Sequence, residues 1–207
     1  MEAKKPGKLI VFEGLDGSGT TSQSRILSEH LENRGFSVVQ VEEPGGTELG
    51  RKVRNLLLED QGLDINPLSE LFLFEVSRAQ LVRKKIIPGL QGGKVVISDR
   101  FAMSSVAYQG HGRGVPIEQV KQLNEIAIEG IEPDVTFFLD IDLKERLKRT
   151  GNRKPDRIEK EEREFYRRVR EGYLEEIKST SNAVVIDGSL SKEEISSKVN
   201  PVVDKII

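Results

Sequence analysis

The sequence predicts a three-layer α/β fold, a parallel β-sheet with helices on both faces, on three observations. Five short apolar runs alternate with longer stretches of helical periodicity. Successive runs are separated by enough chain for a crossover helix, the connection that parallel strands require. The first run also leads directly into a glycine-rich segment that opens a helix, the order in which a phosphate-binding turn is built.

Residues 9–12, Leu-Ile-Val-Phe, are continuously apolar, the pattern of a strand buried on both faces. A helix over 20–34 follows, with Ile26, Leu27 and Leu31 on one stripe. The second strand is expected at 38–41, with helices over 49–60 and 68–91 before the third strand at 95–98. A helix over 117–129 precedes the fourth strand at 135–139, helices over 143–150 and 158–179 precede the fifth at 183–186, and a helix over 191–206 ends the pattern. Residues 109–114, Gln-Gly-His-Gly-Arg-Gly, read as a solvent-exposed loop, which leaves open whether His111 and Arg113 do more than decorate it, and 150–155 as a second loop. Right-handed crossovers would gather the loops that follow the strands on one edge, where open α/β sheets bind ligands.

At 207 residues the chain has room for the core of one domain, 1–207. A formal net charge of −2 gives no overall reason to expect nucleic acid or a membrane surface as partner. The absence of cysteine excludes disulfides, thiolate metal sites and cysteine nucleophiles, and suits a reducing compartment. No apolar run approaches membrane-spanning length and residues 1–8 are too short and polar for a secretory signal, so a soluble cytoplasmic protein is expected.

Gly14-Leu15-Asp16-Gly17-Ser18-Gly19-Thr20-Thr21 follows G-x-x-x-x-G-K-[ST] at every position but Thr20, where the pattern has lysine. Backbone N–H groups and the positive end of a helix dipole converge at such a turn whatever the side chains, so phosphate binding survives the change. Thr21 keeps the hydroxyl that ligands Mg²⁺. What is lost is an ammonium over the β- and γ-phosphates.

The other polar clusters also follow strands. Glu42-Glu43-Pro44-Gly45-Gly46-Thr47 is either an ordinary turn or one that brings bare backbone to a ligand. Asp99-Arg100 either braces a helix start or offers a metal-binding carboxylate beside a phosphate-gripping guanidinium. Phe74 and Arg78, four apart on one helix face, are either core and rim or a base-stacking ring with a carbonyl donor. Arg149, Arg153, Lys154 and Arg157 are either a solvated charge run or a mobile lid that brings cations to phosphates.

Together these motifs resemble those of the thymidylate kinases, members of the P-loop nucleoside monophosphate kinases. The resemblance runs from about Leu9 to about Gly188, through F-E-G-L-D-G-S-G, E-P-G-G-T at Glu43 to Thr47, D-R-F with S-x-A-Y-Q-G from Asp99 to Gly110, and D-R-I-E at Asp156 to Glu159. It implies a P-loop three-layer sandwich with a five-stranded parallel sheet, a homodimer, and transfer of the ATP γ-phosphoryl group to dTMP with Mg²⁺, on the way to dTTP. It implies that Gly14, Leu15, Asp16, Gly17, Ser18, Gly19, Thr20 and Thr21 hold ATP together with Arg149 and Arg153, and that Thr21 and Asp99 serve the metal. Arg54 and Arg100 would clamp the dTMP phosphate, Phe74 would stack on thymine beside Pro44, and Arg78 would read a ring carbonyl. Ser104 and Gln109 would line the base site, Tyr108 would lie under the sugar, and Asp16 would hold the 3′ hydroxyl. With Gly17 after Asp16, the catalytic arginine falls to the lid near 149–160, first to Arg153 and then to Arg149, acting with Asp16, Asp99 and Arg100.

Two positions depart from the family. Glu42 stands where many relatives have arginine, and Thr20 replaces the loop lysine, whose charge a lid cation or Mg²⁺ would supply. The readings that stay open are a nucleotide-binding pseudokinase or sensor, a kinase for another deoxynucleotide such as dUMP, and a purely structural α/β domain.

Overall fold

The computed structural model describes residues 6–59, 62–151 and 154–207. Five strands, β1 (Lys8–Gly14), β2 (Val38–Glu42), β3 (Val95–Asp99), β4 (Val135–Asp140) and β5 (Ala183–Asp187), form one parallel sheet in the order β2-β3-β1-β4-β5. Each predicted strand is present, extended by a residue or two. The register sets Phe12 beside Asp99, Glu42 beside Asp99 and Gly14 beside Leu139, so β1, β2, β3 and β4 end together along one edge.

The central strand explains why its sequence is continuously apolar. Ile10 and Phe12 pack with Leu27 and Leu31 of α1 (Thr20–Asn33) and with Ile195, Val199 and Val203 of α9 (Lys192–Val203). Leu9 and Val11 face the other way, onto Leu81, Val82 and Ile86. Burial of each such side chain stabilises the fold by about 1.5–3 kcal/mol. Ser191 caps α9 with a reciprocal Glu194 box.

Helices α2 (Glu48–Leu58), α6 (Ile117–Ile128), α7 (Leu143–Thr150) and α8 (Arg163–Lys178) lie close to expectation, α8 starting later than predicted. Two stretches differ. The helix expected over 68–91 is α3 (Pro67–Leu81), a π-helical turn at Val82–Ile86 and α4 (Ile87–Gln91). Pro88 has no N–H to donate and its ring crowds the preceding turn, and a widened turn accommodates both.

The loop expected over 109–114 is helical. α5 (Ala102–Ser105) runs into a π-helix, Val106–Gly112, packed on α8. A Cβ on Gly112 would sit 2.7 Å from the Phe165 ring, so this glycine permits close packing rather than flexibility. His111 and Arg113 are half-buried, which corrects the reading of a solvent-exposed loop; Arg113 bridges Glu70 and Glu161.

Candidate active site

Where β1 turns into α1 the backbone exposes its N–H groups. Gly19, the N-cap residue of α1, takes a left-handed φ of 102°, a conformation that suits glycine. The first-turn N–H groups of α1 have no intrahelical acceptor and face the open edge of the sheet. A cavity of about 480 Å³ opens there, lined at this end by Asp16, Gly17, Gly19, Thr20, Thr21 and Ser22. Gly14, Leu15 and Ser18 of the predicted set do not line it, because Leu15 and Ser18 turn into the core. These three belong to the loop as scaffold.

Thr21 Oγ1 donates to Asp99 Oδ2 at 2.5 Å. Asp99 is 8% exposed, and its Oδ1 is buried with no partner among the described residues. One hydroxyl and a carboxylate with a spare oxygen are the donor types a hard divalent cation takes, with substrate phosphates and water completing its shell. Among the described residues no cluster of three or more His, Cys, Asp or Glu could hold an ion by itself.

Arg100 follows Asp99 with φ 71°, a left-handed conformation that is uncommon for arginine and held here by its surroundings. Its N–H donates to Phe12 O at 2.8 Å, and the Ser98 hydroxyl donates to Arg100 O at 2.6 Å. The guanidinium therefore folds back over the end of β1, where it donates to Gly14 O at 2.7 Å and Asp16 Oδ1 at 2.8 Å and lies over the Tyr108 ring. The Tyr108 hydroxyl donates to Asp16 Oδ2 at 3.2 Å.

Beneath this corner lies Glu13, which sequence reasoning did not single out. It accepts from Phe101 N at 2.9 Å, Ser104 Oγ at 2.5 Å and Tyr173 OH at 3.0 Å. Complete burial raises the pKa of its carboxyl despite these donors.

The far end of the cavity is lined by Pro44, Arg54, Leu58, Phe74, Ser104 and Gln109. Arg54 donates to Pro44 O at 2.7 Å, lies 4.0 Å from the Glu42 carboxylate and is half-exposed, so a ligand can reach its guanidinium. Glu42 and Glu43 also reach the wall. Arg78 does not, which departs from its expected place beside a base. It is 1% exposed and donates to Glu43 at 2.8 Å, Glu75 at 2.5 Å, Asn124 at 2.6 Å and Ser105 at 3.0 Å. Burial pushes the Glu43 carboxyl up to about 7, against the pull of Arg78.

The third wall comes from the last turn of α7 and from residues 156–159. Arg149 lines the cavity and donates to Gly188 O at 2.8 Å, Gly17 O at 3.2 Å and Glu145 at 2.7 Å. Arg153, expected as the phosphate-bridging arginine, lies outside the described residues. Arg157 turns away from the cavity: it donates to Leu57 O at 2.7 Å and to Glu70 at 2.5 Å, anchoring the segment instead of offering a free cation. Asp156, Ile158 and Glu159 line the cavity, their turn closed by reciprocal hydrogen bonds between Asp156 and Glu159. The D-R-I-E motif was the sequence signal for them.

Among the described residues the arrangement is one of charged and polar groups around an open cavity. It offers an anion cradle at one end, Phe74 with Arg54 at the other, Arg100 between them, and a metal-compatible oxygen pair beside the cradle. Such a site suits a reaction that depends on positioning and charge stabilisation.

The family model described as Thymidylate kinase matches residues 12–199. The chain is 45% identical over 202 residues to the thymidylate kinase of Thermoanaerobacter sp. (strain X514), covering 97% of this chain and 99% of that one. It is 48% identical over 183 residues to the thymidylate kinase of Caldanaerobacter subterraneus subsp. tengcongensis, 88% of each chain. Its fold superimposes on the crystal structure of thymidylate kinase from Ehrlichia chaffeensis with a TM-score of 0.79 at 37% identity, covering 97% of this chain and 99% of that one.

Proposed function

The chain belongs to the thymidylate kinase family, and on that premise we infer that it transfers the γ-phosphoryl group of ATP to dTMP, giving dTDP and ADP. The observation that carries this reading is one cavity with the phosphate loop at one end, Arg54 and Phe74 at the other, and Arg100 between them, reaching Asp16 and Ser104. Two phosphorylated ligands can meet in it end to end. Family membership favours the enzyme over the pseudokinase and the structural domain.

In this reading the backbone of 14–21 cradles the ATP phosphates, Arg54 and Arg100 grip the phosphate of dTMP, and Phe74 stacks on thymine. Ser104 and Gln109 line the base, Tyr108 lies against the sugar, and Asp16 takes the 3′ hydroxyl. Kinases of this family use a divalent metal, which we assign as Mg²⁺ held by Thr21 and Asp99; the unpartnered Asp99 Oδ1 supports the fit. When bound, it neutralises charge on the phosphate oxygens. The charge missing at Thr20 falls to the cations of the 149–160 segment, which we read as a lid on a single domain; Arg149 already touches the loop.

A homodimer fits an apolar stripe on α3, where Leu68, Phe72 and Val76 are 43%, 48% and 45% exposed beside Leu49 and Leu56 of α2. Phe72→Glu should give a monomer by light scattering. No described helix is long and apolar enough to cross a membrane, and we assign the cytoplasm, where ATP and dTMP meet.

A coupled assay of dTMP with MgATP, run on wild type and Thr20→Lys, tests the reading. Turnover by the wild type is expected, with dUMP used less well by roughly 10–200-fold, the discrimination one methyl group can supply. No turnover in the wild type, recovered in Thr20→Lys, would overturn it.

A further inference from the structure

Arg146 is a buried cation with no part in the reading above. It lies on α7, is 4% exposed, and has its guanidinium 3.3 Å above the Tyr166 ring. Its Nε and Nη2 are buried with no hydrogen-bond partner among the described residues. Unpaired charged donors in a buried site are costly, and a fold retains them where an acceptor arrives in another state.

One carboxylate, Asp16, stands within ion-pair range. Nη2 stands 3.9 Å from Asp16 Oδ2, in ion-pair range but beyond a hydrogen bond. Asp16 is meanwhile held by Arg100 through Oδ1 and by Tyr108 through Oδ2. An incoming phosphate that draws Arg100 Nη2 toward itself would loosen the hold of that nitrogen on Asp16 Oδ1. A shift of about an ångström would bring Asp16 onto Arg146 within the usual range of charge-assisted hydrogen bonds. Stacking on Tyr166 fixes the plane of the receiving guanidinium. Arg146 does not line the cavity, so it acts through Asp16 and not on substrate.

We propose that Arg146 is a positioning residue that receives the Asp16 carboxylate when the dTMP phosphate takes over Arg100, holding Asp16 on the sugar side of the cavity. The proposal rests on the kinase reading, since it needs an acceptor phosphate at Arg100.

A double-mutant cycle tests it. Dissociation constants for dTMP and ADP are measured by calorimetry for wild type, Arg146→Met, Asp16→Asn and the double variant. Arg146→Met should weaken dTMP about tenfold, the effect of one charge-assisted contact, and leave ADP within about twofold. In the Asp16→Asn background the same change should alter dTMP binding by less than about twofold, because the partner is gone. An undiminished loss in that background, or equal losses for dTMP and ADP, would overturn the proposal. Arg146→Lys keeps the charge without the planar stack and should fall between; if Arg146→Met does not fold, it carries the same cycle. Wild type that binds and phosphorylates dTMP while the cycle shows no coupling sinks this proposal alone. Wild type that binds no dTMP sinks the kinase reading and this with it.

Discussion

Thr21 and Asp99 meet through one short hydrogen bond, 2.5 Å from hydroxyl to carboxylate, where the first turn of α1 faces the end of β3. The second carboxylate oxygen of Asp99 is buried and unpartnered among the described residues. In a chain whose phosphate loop has no lysine, this pair sits where a metal would carry more of the charge stabilisation. Asp99→Asn should therefore lower kcat by about 10²–10³, the loss typical of one electrostatic contact in a transition state. It should also raise the Mg²⁺ concentration for half-maximal rate. Titration of MgCl₂ at saturating ATP and dTMP checks both; an unchanged Mg²⁺ requirement would remove Asp99 from the metal site.

Arg100 and Arg149 line one cavity with different partners, and their loss should be separable. Arg100 faces Asp16 and Tyr108, whereas Arg149 reaches Gly17 and Gly188. Arg100→Ala should raise KM for dTMP by roughly 10–100-fold, from the loss of one charged hydrogen-bonding group. Arg149→Ala should act on ATP and kcat with less effect on dTMP. Steady-state kinetics with each substrate varied in turn decides it, and parallel effects of the two variants would contradict the assignment.

Glu43 predicts a pH effect with a definite sign. Burial pushes its carboxyl up to about 7, above the 4.5 of an exposed glutamate. Between these values the folded protein binds more protons than the unfolded chain, so the Glu43 contribution to stability falls as pH rises from about 4.5 to 7. Glu43→Gln cannot titrate. The Tm of the variant relative to wild type should therefore become more positive from pH 5 to pH 8, at about 2–4 °C per kcal/mol for a chain of this size. Thermal melts across that range check it; a constant difference would count against a titrating Glu43.

The strands were legible because a doubly buried parallel strand must be apolar at every position, as Leu9 to Phe12 are. The phosphate loop was legible because its chemistry is local in sequence. Most partners of Arg78 were not: Glu43 and Asn124 lie 35 and 46 residues away, and spacing along α3 puts only Phe74 and Glu75 on its face. Glu13 was hidden in the same way, since its donors on Phe101 and Tyr173 lie 88 and 160 residues on. Glycines misled at 109–114, where composition reads as a loop while Gly112 serves close contact with Phe165. The difference in each case is between what neighbouring residues decide and what packing decides.

Glu70 carries the last prediction, because it ties the proposed lid to the base end of the cavity. On α3 and 1% exposed, it accepts from Gln109 at 3.0 Å, Arg113 at 3.1 Å and Arg157 at 2.5 Å. Gln109 lines the cavity and Arg157 anchors the segment next to Asp156. Glu70→Ala would leave two arginines facing each other without their shared anion, and breaking a buried pair costs about 3–5 kcal/mol. Glu70→Gln keeps the shape and one acceptor and should cost less. Both should raise KM for dTMP through Gln109, and both should speed proteolysis around 154–161 if Glu70 is what holds that segment down. Melting curves, dTMP kinetics and limited proteolysis on the two variants separate these effects; a Glu70→Ala protein as stable and as protease-resistant as wild type would show that the arginines find other anions and that the lid is anchored elsewhere.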